Sequence, residues 1–150
     1  MLIRTMQETD VSKVARIEKL CFSRPWSEKG FLDSLKLSYT CFLVAEEQES
    51  REITGYIGIY FSVDEGEITN VAVCPEARNQ GTGNALVAAM LREAEKRGMK
   101  NVILEVRRSN AAAIHVYERA GFEKAGIRKG FYDLPKEDAV IMNRKLESTC

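Results

Sequence analysis

The chain reads Arg78-Asn79-Gln80-Gly81-Thr82-Gly83 at the point where a β-like run gives way to a long amphipathic segment. The run before it, residues 67–73, is rich in β-branched residues and ends at Cys74-Pro75. The segment after it, Asn84 to Arg97, places its apolar side chains on one helical stripe. A glycine-bearing loop between a strand and a helix leaves free N–H groups at the positive end of the helix. The sequence therefore predicts a phosphate-binding loop.

The spacing of the glycines narrows the choice of phosphate ligand. A P-loop requires a lysine directly after its second glycine, and this loop has none. A dinucleotide fingerprint requires a third small residue three positions beyond Gly83, where this chain has Leu86. The loop does fit Arg/Gln-x-x-Gly-x-Gly/Ala, with Arg78, Gly81 and Gly83. This pattern resembles the pyrophosphate loop of the GNAT superfamily of N-acetyltransferases, which bind acetyl-coenzyme A. A glycine-rich turn without a ligand is the alternative interpretation.

Length and composition indicate one domain with one ordinary core. The 150 residues are 45% hydrophobic and 29% charged, with 22 basic and 22 acidic side chains. The balanced charge favours neither nucleic acid nor an anionic membrane as a partner. The sequence has no bilayer-length apolar run and no signal peptide, and its four cysteines and single histidine lack the spacing of a metal site. We therefore expect a single domain, residues 1–150, that acts in the cytoplasm without a metal.

Periodicity along the chain predicts eleven main elements. Asp10 is expected to cap a first helix whose apolar stripe ends with Leu20 and Cys21, and Pro25-Trp26-Ser27 to start a second. Residues 53–63 alternate, so Ile57, Ile59, Phe61 and Val63 are expected on one face of a strand, before a hairpin turn at residues 64–66. Gly98 is predicted to end the long helix and Asn110 to begin the last one.

The order of these elements, β-α-α-β-β-β-α-β-α-β-β, is that of the GNAT superfamily. The predicted fold class is therefore α/β with a mixed sheet (α+β), the GNAT acyl-CoA N-acyltransferase fold. The second half of the chain narrows the resemblance. It contains Leu104-Glu105-Val106-Arg107, Ser109-Asn110, Ala113-Ile114-His115-Val116-Tyr117-Glu118 and Ala120-Gly121-Phe122. These stretches resemble the RimI-like subgroup, the ribosomal-protein-alanine N-acetyltransferases, which acetylate a protein N-terminus.

Further matching stretches, residues 25–27, 70–73 and 137–142, extend the resemblance across essentially the whole chain. It implies acetyl-coenzyme A as cosubstrate and a protein or peptide N-terminus, that of a ribosomal protein, as the acceptor. Two other functions remain open. One is the acetylation of a small-molecule amine or a lysine side chain. The other is a non-catalytic acetyl-coenzyme A sensor, which would not need Glu105 and Tyr117 together. Monomer and weak dimer also remain open.

Glu105 is the candidate general base. It interrupts an apolar run near the end of a predicted strand, where open sheets commonly place their ligands. Alternation puts it on the same face as Ile103 and opposite Leu104 and Val106. The alternative is a solvated carboxylate at a strand end that pairs with Arg107. The resemblance favours the catalytic role.

Tyr117 is the candidate general acid, because a phenol at a fixed position can protonate a leaving thiolate. It lies in line with Ala113 and Ile114 on the helical face that must pack toward the sheet. The alternative is a core tyrosine with a satisfied hydroxyl. His115 lies two positions from Tyr117, about 200° around the helix, and is expected on the surface.

The resemblance also implies a set of cosubstrate-binding residues. In this superfamily the strand over residues 67–73 splays from its neighbour and frees backbone groups for the pantetheine arm and the oxyanion. The implied contacts are Val71, Ala72 and Val73 on that strand, then Arg78, Asn79, Gln80, Gly81, Thr82, Gly83 and Asn84 around the pyrophosphate, and finally Asn110. Asn110 could equally be a plain helix N-cap, and the two roles could coexist.

The sequence gives less information about the acceptor site than about the cosubstrate site. Residues 128–136, which include Phe131 and Tyr132, resemble the segment that flanks the acceptor peptide in the family. An ordinary polar hairpin connection is the alternative. Pro25-Trp26 could line the same groove, or Trp26 could be a packing anchor.

Overall fold

A seven-stranded mixed sheet organises the structure, a computed structural model that describes residues 1–146. The strands are β1 (Leu2–Thr5), β2 (Thr40–Glu46), β3 (Ile53–Ser62), β4 (Glu65–Val73), β5 (Asn101–Arg107), β6 (Glu123–Tyr132) and β7 (Glu137–Lys145). The helices are α1 (Val11–Cys21), α2 (Glu28–Leu35), α3 (Thr82–Lys96) and α4 (Ala111–Arg119), with 3-10 turns at Glu8–Asp10 and Pro75–Ala77. The predicted order of strands and main helices is confirmed. None of the helices in this part of the chain is long and apolar enough to cross a membrane.

Helices cover both faces of the sheet, so alternate side chains of the central strands enter two different cores. On one face α1 and α2 pack on Phe42, Val44 and Tyr56. On the other face α3 and α4 pack on Ile57 and Leu104, among others. This two-sided burial explains why β2 and β3 are almost continuously buried, whereas a sheet with one wet face would alternate.

The strand order is β1-β2-β3-β4-β5-β7-β6, and only β4 and β5 run parallel to each other. Their pairing starts at Glu65 with Asn101 and ends at Ile68 with Leu104. Directly after this point β4 has a bulge against β3, where the register skips Thr69. A bulge bends the strand that carries it. The two strands therefore diverge beyond Ile68, which confirms the splay that the resemblance implied.

Three local expectations were wrong. Val63 is 96% exposed with φ of 56°, because it belongs to the turn before β4 instead of ending the alternation of β3. Leu20 is 61% exposed, since it lies nine positions beyond Val11 and therefore about 180° away from it on α1. The helix α3 begins at Thr82 and not at Asn84, because Gly81 adopts φ of 81° and occupies the N-cap.

Asp10 precedes α1 as expected, but its carboxylate does not cap the helix. It accepts hydrogen bonds from Arg4 Nη1 at 2.8 Å and from the Gln7 backbone N–H at 2.8 Å. Two other predicted boundaries are confirmed. Gly98 adopts φ of 77° after α3, and the Asn110 side chain caps α4.

Candidate active site

The candidate site lies where β4 and β5 separate. Val71, Ala72 and Val73 extend β4 beyond its last pair with β5 and remain bonded to β3 on one side only. The first turn of α3 lies against this strand end and against α4, because a Cβ at Gly83 would lie 3.8 Å from Val73 and 4.0 Å from Val116. The segments predicted to bind the cosubstrate therefore meet at one place.

The loop before α3 has the backbone of an anion cradle. Asn79 and Gly81 adopt φ of 65° and 81°, and a Cβ on Gly81 would have no heavy atom within 4 Å. The first helical N–H groups, those of Thr82, Gly83 and Asn84, have no carbonyl partner one turn earlier in the helix. Their donors and the helix dipole favour a phosphate at this position. The loop therefore suits a phosphate group, and its binding of the pyrophosphate of coenzyme A stays a prediction.

Arg78 uses its side chain differently from the rest of the loop. Its Nε donates to the Val73 carbonyl at 3.2 Å, and its Nη2 lies 3.3 Å from Cys21 Sγ. The guanidinium therefore ties the start of the loop to the end of β4 and to α1. Its contribution to phosphate binding stays a prediction, as does that of Gln80, whose amide Nε2 lies 3.5 Å from the Glu76 carbonyl.

Asn110 is an N-cap in the structure. Its Oδ1 accepts a hydrogen bond from the Ala113 backbone N–H at 3.1 Å, which satisfies one of the free donors of α4. It lies three residues after the end of β5, close to the separated strands. The capping role is confirmed, and the additional contact with the cosubstrate stays a prediction.

Glu105 projects from β5 on the face predicted for it. Leu104 and Val106 enter the core under α3 and α4, whereas the Glu105 side chain, 16% exposed, faces the other side of the sheet. Its Oε1 lies 3.5 Å from Arg128 Nη2, and its buried Oε2 has no hydrogen-bond partner in the described part of the chain. The alternative pairing with Arg107 is wrong, since that guanidinium binds Glu137.

The electrostatic surroundings of Glu105 suit a proton acceptor. Burial raises the pKa of its carboxyl, Arg128 acts in the opposite direction, and the nearby negative charge of Glu67 raises it further. A base with a raised pKa binds a proton more tightly than a solvated glutamate does. The unpartnered oxygen is free to accept that proton directly or through water.

Tyr117 lies in the opposite core. It is 5% exposed and its ring packs against Phe122 at 5.9 Å between centroids. Burial is the main reason why its pKa is raised, and Tyr132 raises it further. The phenol is therefore protonated at neutral pH, as a general acid must be. Glu105 and Tyr117 thus belong to opposite faces of the sheet, Glu105 on β5 and Tyr117 on α4.

Sequence similarity to known proteins identifies the family of this chain. A model of the acetyltransferase (GNAT) family matches residues 11–122. The chain belongs to the GNAT family. It is 37% identical over 142 residues to the ribosomal protein bS18-alanine N-acetyltransferase of Escherichia coli strain K12, a match that covers 93% of this chain and 94% of that protein. The protein of the same name from Haemophilus ducreyi is 32% identical over 144 residues, which cover 94% and 97% of the two chains.

Solved structures agree with the GNAT assignment. The crystal structure of the ribosomal-protein-S18-alanine N-acetyltransferase from Escherichia coli has a TM-score of 0.89 and 33% identity to this chain, over 99% of this chain and 96% of that one. The structure of Ard1 from Thermoplasma volcanium has a TM-score of 0.85 at 26% identity, over 97% of each chain. The predicted family and fold are confirmed.

Tyr132 is a further residue near the candidate site, a position that sequence analysis missed. Burial, followed by the charge of Glu105, raises the pKa of Tyr132 to about 12, and Tyr132 in turn raises the pKa of Tyr117. Its hydroxyl thus lies within electrostatic reach of both candidate catalytic groups. The sequence assigned it only to the acceptor segment. The register shift of β6 between Arg128 and Tyr132, which orients it, has no local signal.

Glu18 is a second residue that was missed. It is 2% exposed on α1, and its carboxylate accepts hydrogen bonds from the Tyr56 hydroxyl, from the Trp26 backbone N–H at 2.9 Å and from Asn70 Nδ2 at 3.5 Å. It therefore links α1 to the α1–α2 connection and to β4 just before Val71. A signal was available, because Glu18 follows Val14 by four positions on the apolar stripe.

Three residues around the GNAT site, Trp26, His115 and Phe131, were also assigned positions from the sequence. Trp26 packs against Phe31 and Phe42, with ring centroids at 5.2 and 6.2 Å, so the packing-anchor interpretation is favoured over the groove. His115 is exposed on α4, as predicted. Phe131 is 46% exposed near the end of β6, which leaves a contact with the acceptor a prediction.

Proposed function

We propose that this GNAT protein transfers the acetyl group of acetyl-coenzyme A to the N-terminal α-amine of an acceptor that starts with alanine, a small-subunit ribosomal protein. The observation that carries this proposal is the environment of Glu105. A largely buried carboxylate with one unpartnered oxygen stands beside the opening between β4 and β5. The chain around it is 37% identical to an enzyme named for alanine N-acetylation of ribosomal protein bS18.

The acidity of the acceptor amine favours an α-amine. Only a neutral amine attacks a carbonyl, and a protein α-amine has a pKa of about 8, whereas a lysine side chain has one of about 10.4. A single carboxylate base is therefore better matched to an N-terminus. Glu105 accepts the proton that the α-ammonium loses, either directly or through a water molecule.

Tyr117 has the complementary role. Attack of the amine forms a carbon–nitrogen bond, and breakage of the carbon–sulfur bond releases a thiolate that needs a proton. The Tyr117 phenol, which is protonated at neutral pH, donates that proton and is restored by the proton that the attacking nitrogen loses. The base thus acts from one face of the sheet and the acid from the other, which keeps the two proton transfers apart.

Backbone groups hold the cosubstrate in this proposal. Acetyl-coenzyme A supplies the acetyl group as a thioester. The N–H groups around Gly81 and Gly83 bind its pyrophosphate at the α3 N-terminus. The strand end from Val71 to Val73 binds the arm and stabilises the developing oxyanion, and Asn110 contributes a contact beside its cap.

The partners follow from the same proposal. The acceptor is a protein N-terminus that enters from the side of residues 128–136. Basic and acidic side chains balance at 22 each, so the protein needs neither nucleic acid nor a membrane as a direct partner. We place the reaction in the cytoplasm and expect a monomer or a weak dimer.

An acceptor panel tests the proposal. Purified protein and acetyl-coenzyme A are incubated with peptides that start in alanine, serine or methionine, with a blocked peptide that carries an internal lysine, and with a small polyamine. Turnover is measured by release of free thiol. The proposal predicts the highest kcat/KM for the free alanine peptide. A higher kcat/KM for the blocked peptide or the polyamine would mean that the acceptor is a lysine side chain or a small amine. Binding of acetyl-coenzyme A without turnover on any acceptor would indicate a sensor.

A further inference from the structure

Arg107 ends β5 two residues after Glu105 and, instead of the alternative pairing with Glu105, makes several other contacts. Its Nη1 donates to the Pro135 carbonyl at 2.9 Å and to Glu137 Oε1 at 3.2 Å. Its Nη2 donates to the Asp133 carbonyl at 2.8 Å. Three acceptors, two on the connection between β6 and β7 and one on the first residue of β7, therefore converge on one guanidinium. The planar fork of arginine suits such a set, because its donors diverge in fixed directions.

The same guanidinium supports Tyr132, the last residue of β6. Its carbon Cζ lies 4.6 Å from the centre of the Tyr132 ring, within the range of a cation–π contact. On the other side of the turn, Glu137 Oε2 accepts the Ser109 backbone N–H at 2.6 Å. Residues 132–137 are thus attached to the chain that follows β5. The Arg107 side chain is only 24% exposed, so these contacts are partly protected from solvent.

Contacts from the α1–α2 connection reach the same turn. Ser23 Oγ lies 3.5 Å from Arg107 Nη2, and Arg24 Nε lies 2.6 Å from Asp133 Oδ1. Both side chains of the second pair are more than half exposed, so that ion pair alone contributes little. Arg107 is the partly buried group to which both segments are joined.

We infer that Arg107 is a positioning residue, which holds residues 132–137, and with them the Tyr132 ring, so that the acceptor amine is aligned with its base, Glu105. The inference rests on the proposed function for the part that concerns the acceptor. A lysine at this position keeps the charge but concentrates it at one ammonium. It cannot reach two carbonyls, a carboxylate and an aromatic ring in the same geometry.

The kinetic test compares Arg107→Lys with Arg108→Lys. Arg108 is the matched control, because it is the next residue, is 68% exposed and makes one ion pair, with Asp138 at 3.7 Å. We expect Arg107→Lys to raise KM for the alanine peptide about tenfold or more while KM for acetyl-coenzyme A changes less than about twofold. Arg108→Lys is expected to change neither constant. Equal increases in both constants, or no increase in either, would overturn the inference.

A double-mutant cycle tests whether Arg107 acts through Tyr132. Tyr132→Phe removes only the hydroxyl, and we expect the losses in kcat/KM from Arg107→Lys and Tyr132→Phe to be less than additive, since both disturb one arrangement. Additive losses would mean that the two residues act independently, contrary to the inference.

Hydrogen exchange separates this inference from the proposed function. Residues 130–138 should exchange at least about threefold faster in Arg107→Lys than in Arg108→Lys, with acetyl-coenzyme A absent from both samples. If wild-type protein does not acetylate the alanine peptide, the proposed function fails, and exchange still decides whether Arg107 holds the turn. Unchanged exchange in Arg107→Lys would refute the positioning role even in an active enzyme.

Discussion

Burial raises the pKa of both Glu105 and Tyr117, with opposite chemical consequences. For the carboxylate, a higher pKa means a stronger base at a pH where it is still ionised. For the phenol, it means that the proton stays bound at neutral pH until the breaking carbon–sulfur bond leaves a thiolate to receive it. One physical cause thus strengthens the base and keeps the donor protonated.

Replacement of the candidate base, Glu105→Gln, should reduce activity. The amide keeps the shape of the carboxylate but cannot accept the amine proton, so kcat/KM for the alanine peptide should fall by about 10² or more. Steady-state kinetics measures it. The matched control is Glu67→Gln, an exposed residue on the neighbouring strand that should retain activity. An active Glu105→Gln enzyme would show that the base is elsewhere.

The pH dependence of kcat/KM gives a second test of Glu105. Because its pKa is raised, the acidic limb of the profile should lie at higher pH than for an ordinary glutamate. Glu67→Gln removes a like charge, which lowers the pKa of Glu105, and should therefore move that limb to lower pH. If the acidic limb does not move in this variant, a group other than Glu105 produces it.

Tyr117→Phe tests the general acid. The ring volume is retained, so packing against Phe122 and the Tm should change little, whereas kcat should fall by about 10². Kinetics with the alanine peptide and thermal unfolding check the two parts. A variant that loses stability in proportion to activity would favour the core-tyrosine alternative over catalysis.

At the scale of elements, the first turn of α3 determines whether the cosubstrate binds. Gly81→Ala places a side chain at φ of 81° where no neighbour would contact it, so the cost is backbone strain of about 1 kcal/mol. We expect this loss in urea unfolding, together with weaker acetyl-coenzyme A binding in calorimetry. Gly83→Ala is the control, since its Cβ would make ordinary contacts at 3.8 and 4.0 Å. Equal effects of both substitutions would argue against this account of the loop.

Substitution of Glu18 tests how α1 is held against β4, the strand that carries Val71 to Val73. In Glu18→Ala the Tyr56 hydroxyl and the Trp26 N–H lose their acceptor, and each unsatisfied buried donor costs about 1–3 kcal/mol. Glu18→Gln retains one acceptor oxygen and should lose less stability. Urea unfolding of both variants checks the order. Wild-type stability in Glu18→Ala would mean that solvent replaces these bonds without cost.

Elements could be predicted from sequence wherever their signals are local. The alternation of β5, the glycine after α3 and the asparagine before α4 each depend on a few neighbouring residues, and each is confirmed. Boundaries that depend on a contact elsewhere were missed. The Asp10 carboxylate is taken by Arg4 on β1, and the end of β3 is decided by where its pairing with β4 stops.

At the scale of the whole molecule, the site arises where distant segments meet. Glu105 was identified from its strand and its resemblance, but its neighbour Arg128 follows it by 23 positions and Tyr132 by 27. No spacing rule joins these residues, because the order β5-β7-β6 brings them together. For the same reason the alternative in which Glu105 pairs with Arg107 fails, since the fold pairs Arg107 with Glu137 at the start of β7.

The stability of the whole molecule should also depend on Glu105. Its folded pKa is raised, so protonation of this carboxyl favours the folded state; that stability is present below the unfolded pKa of about 4.3 and is lost as pH rises through the folded pKa. Glu105→Gln should therefore match the wild-type Tm near pH 4 and equal or exceed it near pH 7. Thermal unfolding at the two pH values measures the difference. A lower Tm at neutral pH would mean that the charge stabilises the fold.

The measurement that tests the central claim most directly uses one peptide with two competing amines, a free N-terminal alanine and an internal lysine. The protein is incubated with this peptide and acetyl-coenzyme A, and tandem mass spectrometry locates the acetyl group. We predict acetylation of the alanine α-amine alone, and its loss in Glu105→Gln. Acetylation of the lysine, or of the α-amine at an undiminished rate in Glu105→Gln, would contradict the account.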